Sequence, residues 1–157
     1  MEDVRFVEQT ERKSEIVAEI MGNLKEWFGI EHVNKRLAEE AVGRPMWVAW
    51  RGNVPVGFVT LKIHNQWTAE LDVLAVRRED HRKGIGTRLV ALSEKYLREK
   101  GFRFLTLKTL SESSPDEGYA HTRAFYKSLE FVPFEELPTL WNEGNPCLIM
   151  IKYLGNA

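Results

Sequence analysis

The stretch AELDVLAVRREDHRKGIGTRLVAL, residues 69–92, constrains the fold more than any other part of the chain. Residues 69–76 are apolar and β-branched, without Gly or Pro, and have the length of a central strand. Leu71, Val73 and Ala75 fall on one face, and Glu70, Asp72, Leu74 and Val76 on the other. Both faces are largely apolar, which predicts a strand covered on both sides, as in the middle of a mixed sheet. Two carboxylates in such a strand are costly unless they are paired, hydrated or used. After the charged turn RREDHRK, Ile85, Leu89, Leu92 and Tyr96 recur at spacings of four, three and four, the apolar stripe of an amphipathic helix. A strand that enters a helix through a basic turn carrying Gly84 and Gly86 makes an anion site, because unpaired amides and the positive end of the helix dipole converge there.

Composition removes several classes of function. With 157 residues, 43% hydrophobic and 29% charged, the chain reads as one soluble domain over residues 1–157 with room for a proper core. A net charge of −1 argues against a general nucleic-acid binder. No long apolar run or signal-peptide pattern is present, so neither a membrane span nor export is expected. The single Cys147 allows no internal disulfide and fits a reducing, cytoplasmic setting. His32, His64, His81 and His121 lie far apart without a second ligand at metal-binding spacing, so no metal is expected. Neither the phosphate-loop signature nor the dinucleotide-binding glycine pattern occurs.

Along the chain, residues 4–7 form a short first strand and Ser14 caps a helix reaching to about residue 28, with Ile16, Ile20, Leu24 and Trp27 inward. A second helix spans 30–42, with Val33, Leu37 and Ala41 inward. Strands at 47–50 and 56–63 make a hairpin through Arg51-Gly52-Asn53, and Asn65-Gln66 turns into the central strand. The long helix ends at Lys100-Gly101, and a strand covers 102–110. Ser114-Pro115-Asp116-Glu117 has the form of a capping box for a helix over 119–129. The last strands are 131–135 and 148–153, separated by LPTLWNEGNPC as a connecting segment.

The turn His81-Arg82-Lys83-Gly84-Ile85-Gly86 resembles motif A of the GNAT acetyltransferase superfamily, [QR]-x-x-G-x-[GA], with His at the first position. A second landmark agrees: Phe125-Tyr126, three residues, then Glu130-Phe131, where the family usually has Gly before the Phe. The Asn often found seven residues before that Tyr is Tyr119 here. The resemblance implies an α/β fold, a central mixed and mostly antiparallel sheet of six to seven strands flanked by about four helices. It also implies acetyl-CoA as co-substrate and an amine-bearing acceptor, either a small molecule or a protein amine. The cofactor contacts it implies are Leu74, Ala75 and Val76 for the pantetheine arm and thioester. His81, Arg82, Lys83, Gly84, Ile85, Gly86, Thr87 and Arg88 are implied for the phosphates.

Acetyl transfer needs a base, because only the neutral amine attacks the thioester. Ala69-Glu70-Leu71 matches the histone-acetyltransferase branch, in which the Glu is that base, so the resemblance points to Glu70, with Asp72 in reserve. The two carboxylates share a strand face, and desolvation would raise both. Tyr126 stands where the family places the acid that meets the departing thiolate. A catalytically silent acyl-CoA-binding module is the alternative, but such a module needs neither Glu70 nor Tyr126. Glu26, Glu31, Glu39 and Glu40 hint at a cationic acceptor, although a charge run is usually a solvated face. The acceptor itself is not legible, and association into a homodimer is left open.

Overall fold

The computed structural model describes residues 3–24, 31–113 and 117–155. Among them lie seven strands in a mixed sheet and four α-helices, the architecture expected from the sequence. The chain forms two compact units, Met1–Ile63 with Asp72–Tyr96, and His64–Leu71 with Leu97–Ala157.

The first unit holds β1 (Val4–Glu8), α1 (Lys13–Asn23), α2 (Glu31–Ala41), β2 (Met46–Arg51) and β3 (Val54–Ile63). It also holds the second half of β4 (Thr68–Val76) and most of α3 (Ile85–Glu99). Its strand order is β1-β2-β3-β4. β1 and β2 pair antiparallel from Val4–Arg51 to Glu8–Trp47, and β2 and β3 pair with a register shift at Ala49/Trp50. Ile16, Val17, Ile20 and Met21 of α1 bury against Ala41, Met46, Val48, Phe58 and Ala75. Each large side chain fully buried there contributes roughly 1.5–3 kcal/mol.

Ser14 is not the cap of α1. Arg12 occupies that position in left-handed backbone, φ 57°, and makes no side-chain capping bond. Lys13 Nζ donates to the Arg44 carbonyl at 2.6 Å, which fixes the helix start one residue ahead of Ser14. The helix stops at Asn23 rather than near residue 28, and Trp27, Phe28 and Ile30 lie outside the described residues. The capping box at 114–117 falls largely outside them as well.

The second unit orders its strands β4-β5-β7-β6, with β5 Phe104–Leu110, β6 Val132–Asn142 and β7 Asn145–Tyr153, and carries α4 (Glu117–Ser128). β4 and β5 run parallel from Thr68–Phe104 to Leu71–Leu107, whereas β5 and β7 pair antiparallel along all of β5. Leu105, Leu107, Phe131, Cys147 and Met150 are buried in this unit. The segment 137–147 is not a loop between strands. β6 continues to Asn142, turns at Glu143-Gly144, and β7 begins at Asn145. Asn142 Oδ1 accepts from the Gly144 N–H at 3.0 Å and from Asn145 Nδ2 at 2.9 Å, closing the hairpin. Phe134, Leu140 and Trp141 stay exposed on β6, so the period-two burial that marks a strand is missing from the sequence.

α3 and α4 end in the same way. After α3 the Phe102 N–H reaches the Leu97 carbonyl and the Gly101 N–H the Arg98 carbonyl, a Schellman cap with Gly101 at φ 85°. After α4 the Phe131 and Glu130 amides bond Tyr126 and Lys127 in the same pattern, but the left-handed residue is Glu130, φ 74°. A side chain there crowds the following carbonyl. Glu130→Gly is therefore expected to stabilise the protein by about 0.5–1 kcal/mol, the relief of that conformation less the extra chain entropy of Gly. Urea unfolding of both proteins checks it, and a destabilised variant would show the cap to be unstrained.

Candidate functional site

The first unit carries the anion turn. β4 delivers Arg77 into a 3-10 turn, Arg78–Asp80, and α3 begins at Ile85. Asp80 anchors the turn from beneath: it is 1% exposed, and its Oδ1 accepts from Arg51 and from Lys83 Nζ at 3.2 Å. Arg77 Nε donates to the Pro55 carbonyl at 2.7 Å and its guanidinium pairs with Glu19 at 2.8 Å. The turn is seated closely as well. A Cβ on Gly57 would come within 3.2 Å of the Ala75 carbonyl and of the side chains of Val76 and Ile85, so this β3 position has no room for a larger residue.

Two turn residues take left-handed backbone, Arg82 at φ 64° and Gly84 at φ 77°. The Arg88 N–H closes the first helical bond on the Gly84 carbonyl at 3.1 Å. Helix geometry therefore leaves the amides of Ile85, Gly86 and Thr87 without intrahelical acceptors. Ile85 is buried, Gly86 half-buried and in ordinary helical backbone, and Thr87 exposed. His81 Nε2 donates to the Val76 carbonyl at 2.7 Å, which sets the Nε2–H tautomer because a carbonyl only accepts. Lys83, although tied to Asp80, remains 57% exposed. Arg82 and Arg88 are exposed, the latter with its guanidinium 5.4 Å from the Phe6 ring centroid. Leu74 and Val76 are half-buried and Ala75 is buried.

The strand carboxylates do not meet as a bare pair. Glu70 belongs to the second unit, where its side chain is only 6% exposed. Lys108 Nζ donates to both of its oxygens, at 2.9 and 3.0 Å, and His64 Nε2 lies 2.7 Å from Oε1. Asp72 belongs to the first unit and pairs with Arg44, which also holds Glu40 at 2.8 Å. Each carboxylate has its own cation, which opposes the rise expected from desolvation and mutual repulsion. The covering of β4 is also uneven: Ala69, Glu70 and Leu71 are buried, while Asp72, Val73 and Leu74 are half-buried. Glu40 answers to Arg36 and Arg44 on its own surface; Glu26 and the Glu31 side chain are outside what is described.

Tyr126 lies on α4 in the second unit, half-buried between Phe125 and Phe131, with ring centroids at 5.3 and 5.9 Å. Burial, reinforced by Tyr119, pushes its phenol up to about 12. Arg123 one turn earlier is buried and donates to the Leu110 carbonyl at 2.6 Å, tying α4 to the end of β5. Cys147 is buried, and burial raises its thiol; Lys108 pulls the other way and Glu70 adds to the rise.

His64, Lys108, Arg44, Arg51 and Asp80 escaped the sequence reading. Lys108 had a faint signal, since a single Lys interrupts the apolar strand FLTLKTL two residues beyond Thr106, the register partner of Glu70. The others come together from distant segments and leave no local pattern. Among the described residues no cluster of His, Cys, Asp and Glu is arranged to hold a metal ion, and no helix is long and apolar enough to cross a membrane.

A phenol raised by burial makes a prediction with a definite sign. The unfolded chain ionises Tyr126 near its ordinary value of about 10, whereas the folded protein holds it neutral to about 12. Unfolding then releases a proton above pH ~10, so this contribution is intact below that pH and is lost between about 10 and 12. Tyr126→Phe should lose less stability than the wild type across that window. Equal alkaline losses in the two proteins would show the phenol to be hydrated.

A model of the acetyltransferase (GNAT) family matches residues 7–131. Among solved structures, a GNAT-family protein from Desulfovibrio desulfuricans superposes with a TM-score of 0.83 at 22% identity, covering 98% of this chain and 100% of its own. An aminoglycoside 6'-N-acetyltransferase in complex with coenzyme A gives 0.79 at 20% identity, with 98% of each chain covered. The ribosomal-protein-S18-alanine N-acetyltransferase of Escherichia coli gives 0.79 at 16% identity, covering 99% of this chain and 96% of its own. No curated protein gives a match. Identities this low speak for the fold alone, but the family model takes in most of the sequence, both landmark motifs included, and the chain belongs to the acetyltransferase (GNAT) family.

Proposed function

We propose that this protein is a single-domain N-acetyltransferase that moves the acetyl group of acetyl-CoA to a primary amine by direct attack. The observation that carries the reading is the turn into α3, with helix-terminal amides at Ile85, Gly86 and Thr87 and cations at Arg82, Lys83 and Arg88. Such a terminus is suited to a pyrophosphate, which gains both hydrogen bonds and the favourable end of the dipole. Gly86 needs no positive φ, so its role in this reading is to let a phosphate approach the backbone closely. The pantetheine arm pairs with the backbone of Leu74 and Ala75 as an added strand. The Val76 carbonyl is already engaged by His81, and His81 thereby acts on the exit of β4 rather than on phosphate.

In the reaction, an amine freed of its proton attacks the thioester carbonyl and a strand amide near Leu74 meets the oxyanion. Glu70 is the group through which the proton leaves; Lys108 keeps that carboxylate ionised and ready to accept it. Collapse expels CoA as a thiolate. A thiol ionises near 8.5, so a phenol raised to about 12 would release its proton only uphill. Tyr126 therefore serves as a neutral hydrogen-bond donor to the departing sulfur. Two neighbours, one named for aminoglycosides and one for a protein alanine, mark the range of acceptors the scaffold accommodates. A silent acyl-CoA-binding module is the second reading, favoured by the full pairing of Glu70 and Asp72 with cations.

Two experiments decide between them. Gly86→Asp places a carboxylate at the helix terminus and should abolish CoA binding in calorimetry while circular dichroism stays that of the wild type. Unchanged affinity in the folded variant would remove the pyrophosphate assignment. Thiol release from acetyl-CoA, assayed with kanamycin, spermidine and an N-terminal-Ala peptide, should reveal turnover. Glu70→Gln should then cost roughly 10²–10⁴-fold in kcat/KM near neutrality and recover partly at high pH, where neutral amine is abundant. Asp72→Asn should show a smaller, pH-independent loss. The reverse pattern would make Asp72 the base, and CoA binding without turnover of any amine would favour the silent module.

A further inference from the structure

Glu70 is a buried carboxylate with a route to water, and the route is a histidine. His64 follows β3 directly and its backbone is fixed by a 3.0 Å bond from its N–H to the Thr68 carbonyl. Its Nε2 sits 2.7 Å from Glu70 Oε1, and its side chain is 35% exposed against 6% for Glu70. The other groups facing this pair are Lys108 from β5, which bonds both Glu70 oxygens, and the buried thiol of Cys147 from β7. All four belong to the second unit. Lys108 has no proton to gain and only donates, and Cys147 is held neutral by burial. Of the four, only His64 is both in contact with Glu70 and open to solvent with a nitrogen that accepts and releases a proton near neutral pH.

We propose that His64 is a catalytic proton carrier, taking from Glu70 the proton that Glu70 removes from the acceptor amine and releasing it to water. This rests on the acetyltransferase reading. The ammonium of the acceptor gives one proton to the Glu70 carboxylate, leaving neutral amine and carboxylic acid. The acid passes that proton to His64 Nε2, giving carboxylate and imidazolium, and the imidazolium loses it to solvent or buffer. Lys108 drives the second transfer, since a cation against both oxygens disfavours the protonated acid. A carboxylate alone, sealed at 6% exposure, has no other described contact that both accepts a proton and opens to water. The sequence element responsible is the short β3–β4 connection, which brings position 64 beside position 70.

His64→Asn keeps a polar group beside Glu70 but cannot carry a proton. With the amine that the wild type turns over, it should lower kcat/KM roughly 10- to 100-fold at pH 7. The loss should shrink above pH 9, imidazole added to the buffer should restore part of the activity, and the affinity for CoA should be unchanged. A wild-type pH profile in His64→Asn, beside a wild-type enzyme that turns over amine, would overturn the carrier and leave the acetyltransferase reading standing. The coupling is also read without any substrate, by NMR titration of the His64 ring in the wild type and in Glu70→Gln. Loss of the neighbouring carboxylate should lower the His64 midpoint by about one unit or more. A midpoint that does not move overturns the proposal even where no amine is turned over, whereas a shifted midpoint without turnover counts against the acetyltransferase reading alone.

Discussion

The fold has to accommodate a charge inside a strand that both compact units share. Glu70 is sealed at 5% exposure between Ala69 and Leu71, and an ionised carboxylate in such a place is tolerable only with partners on both oxygens. Lys108 supplies them, and it can do so because β4 and β5 run parallel in a register that sets Glu70 opposite Thr106. Residues two apart on a strand share a face, so Lys108 lands diagonally across from Glu70. A slip of one residue would turn Lys108 to the other face and strand the carboxylate. The ion pair and the register thus support each other. A buried pair of this kind adds little net stability over apolar packing but makes alternatives expensive.

The same device recurs at the turn. Asp80 is 1% exposed and takes Arg51 and Lys83 on a single oxygen; its second oxygen is buried without a partner among the described residues. Such an arrangement is poor for stability and good for position. It fixes Arg51 at the end of β2 to the segment entering α3, while Lys83 stays mostly in water. Gly57 answers the same need on the β3 side by leaving space for Ala75, Val76 and Ile85 to close on it. Three unrelated segments therefore converge on the few residues whose amides face outward, and the turn's shape does not depend on its own flexible side chains.

What the sequence made legible follows from how far each signal reaches. The period-two and helical patterns around 69–92 are local, and β4, the turn and α3 came out nearly as read. Motif spacing carried the resemblance from there to Tyr126. Partners were invisible, because nothing near Glu70 in the chain announces Lys108, and nothing near Asp72 announces Arg44. The β6 extension was missed for the opposite reason. Its backbone pairs with β7 while its side chains face solvent, so the hydrogen-bond ladder is present without the burial pattern used to detect it. Ser14 failed as a cap because a tertiary contact from Lys13 overrode a local preference.

Glu130 shows how these levels interact. A left-handed residue at a helix end is ordinarily Gly, and α3 in this very chain ends on one. At the end of α4 the position is held by an exposed Glu instead, yet the two cap bonds form at 3.0 and 3.1 Å. Those bonds lead back to Lys127 and Tyr126, and Phe131, buried at 1%, packs on the Tyr126 ring. The burial of Phe131 fixes where the chain must go after the helix, and the backbone at 130 adopts whatever φ that path demands. The strain is thus imposed by the aromatic cluster around Tyr126. That cluster also dries the phenol and raises it to about 12. Local conformational cost and the protonation state of Tyr126 are two consequences of one packing decision, with Phe131 at its centre.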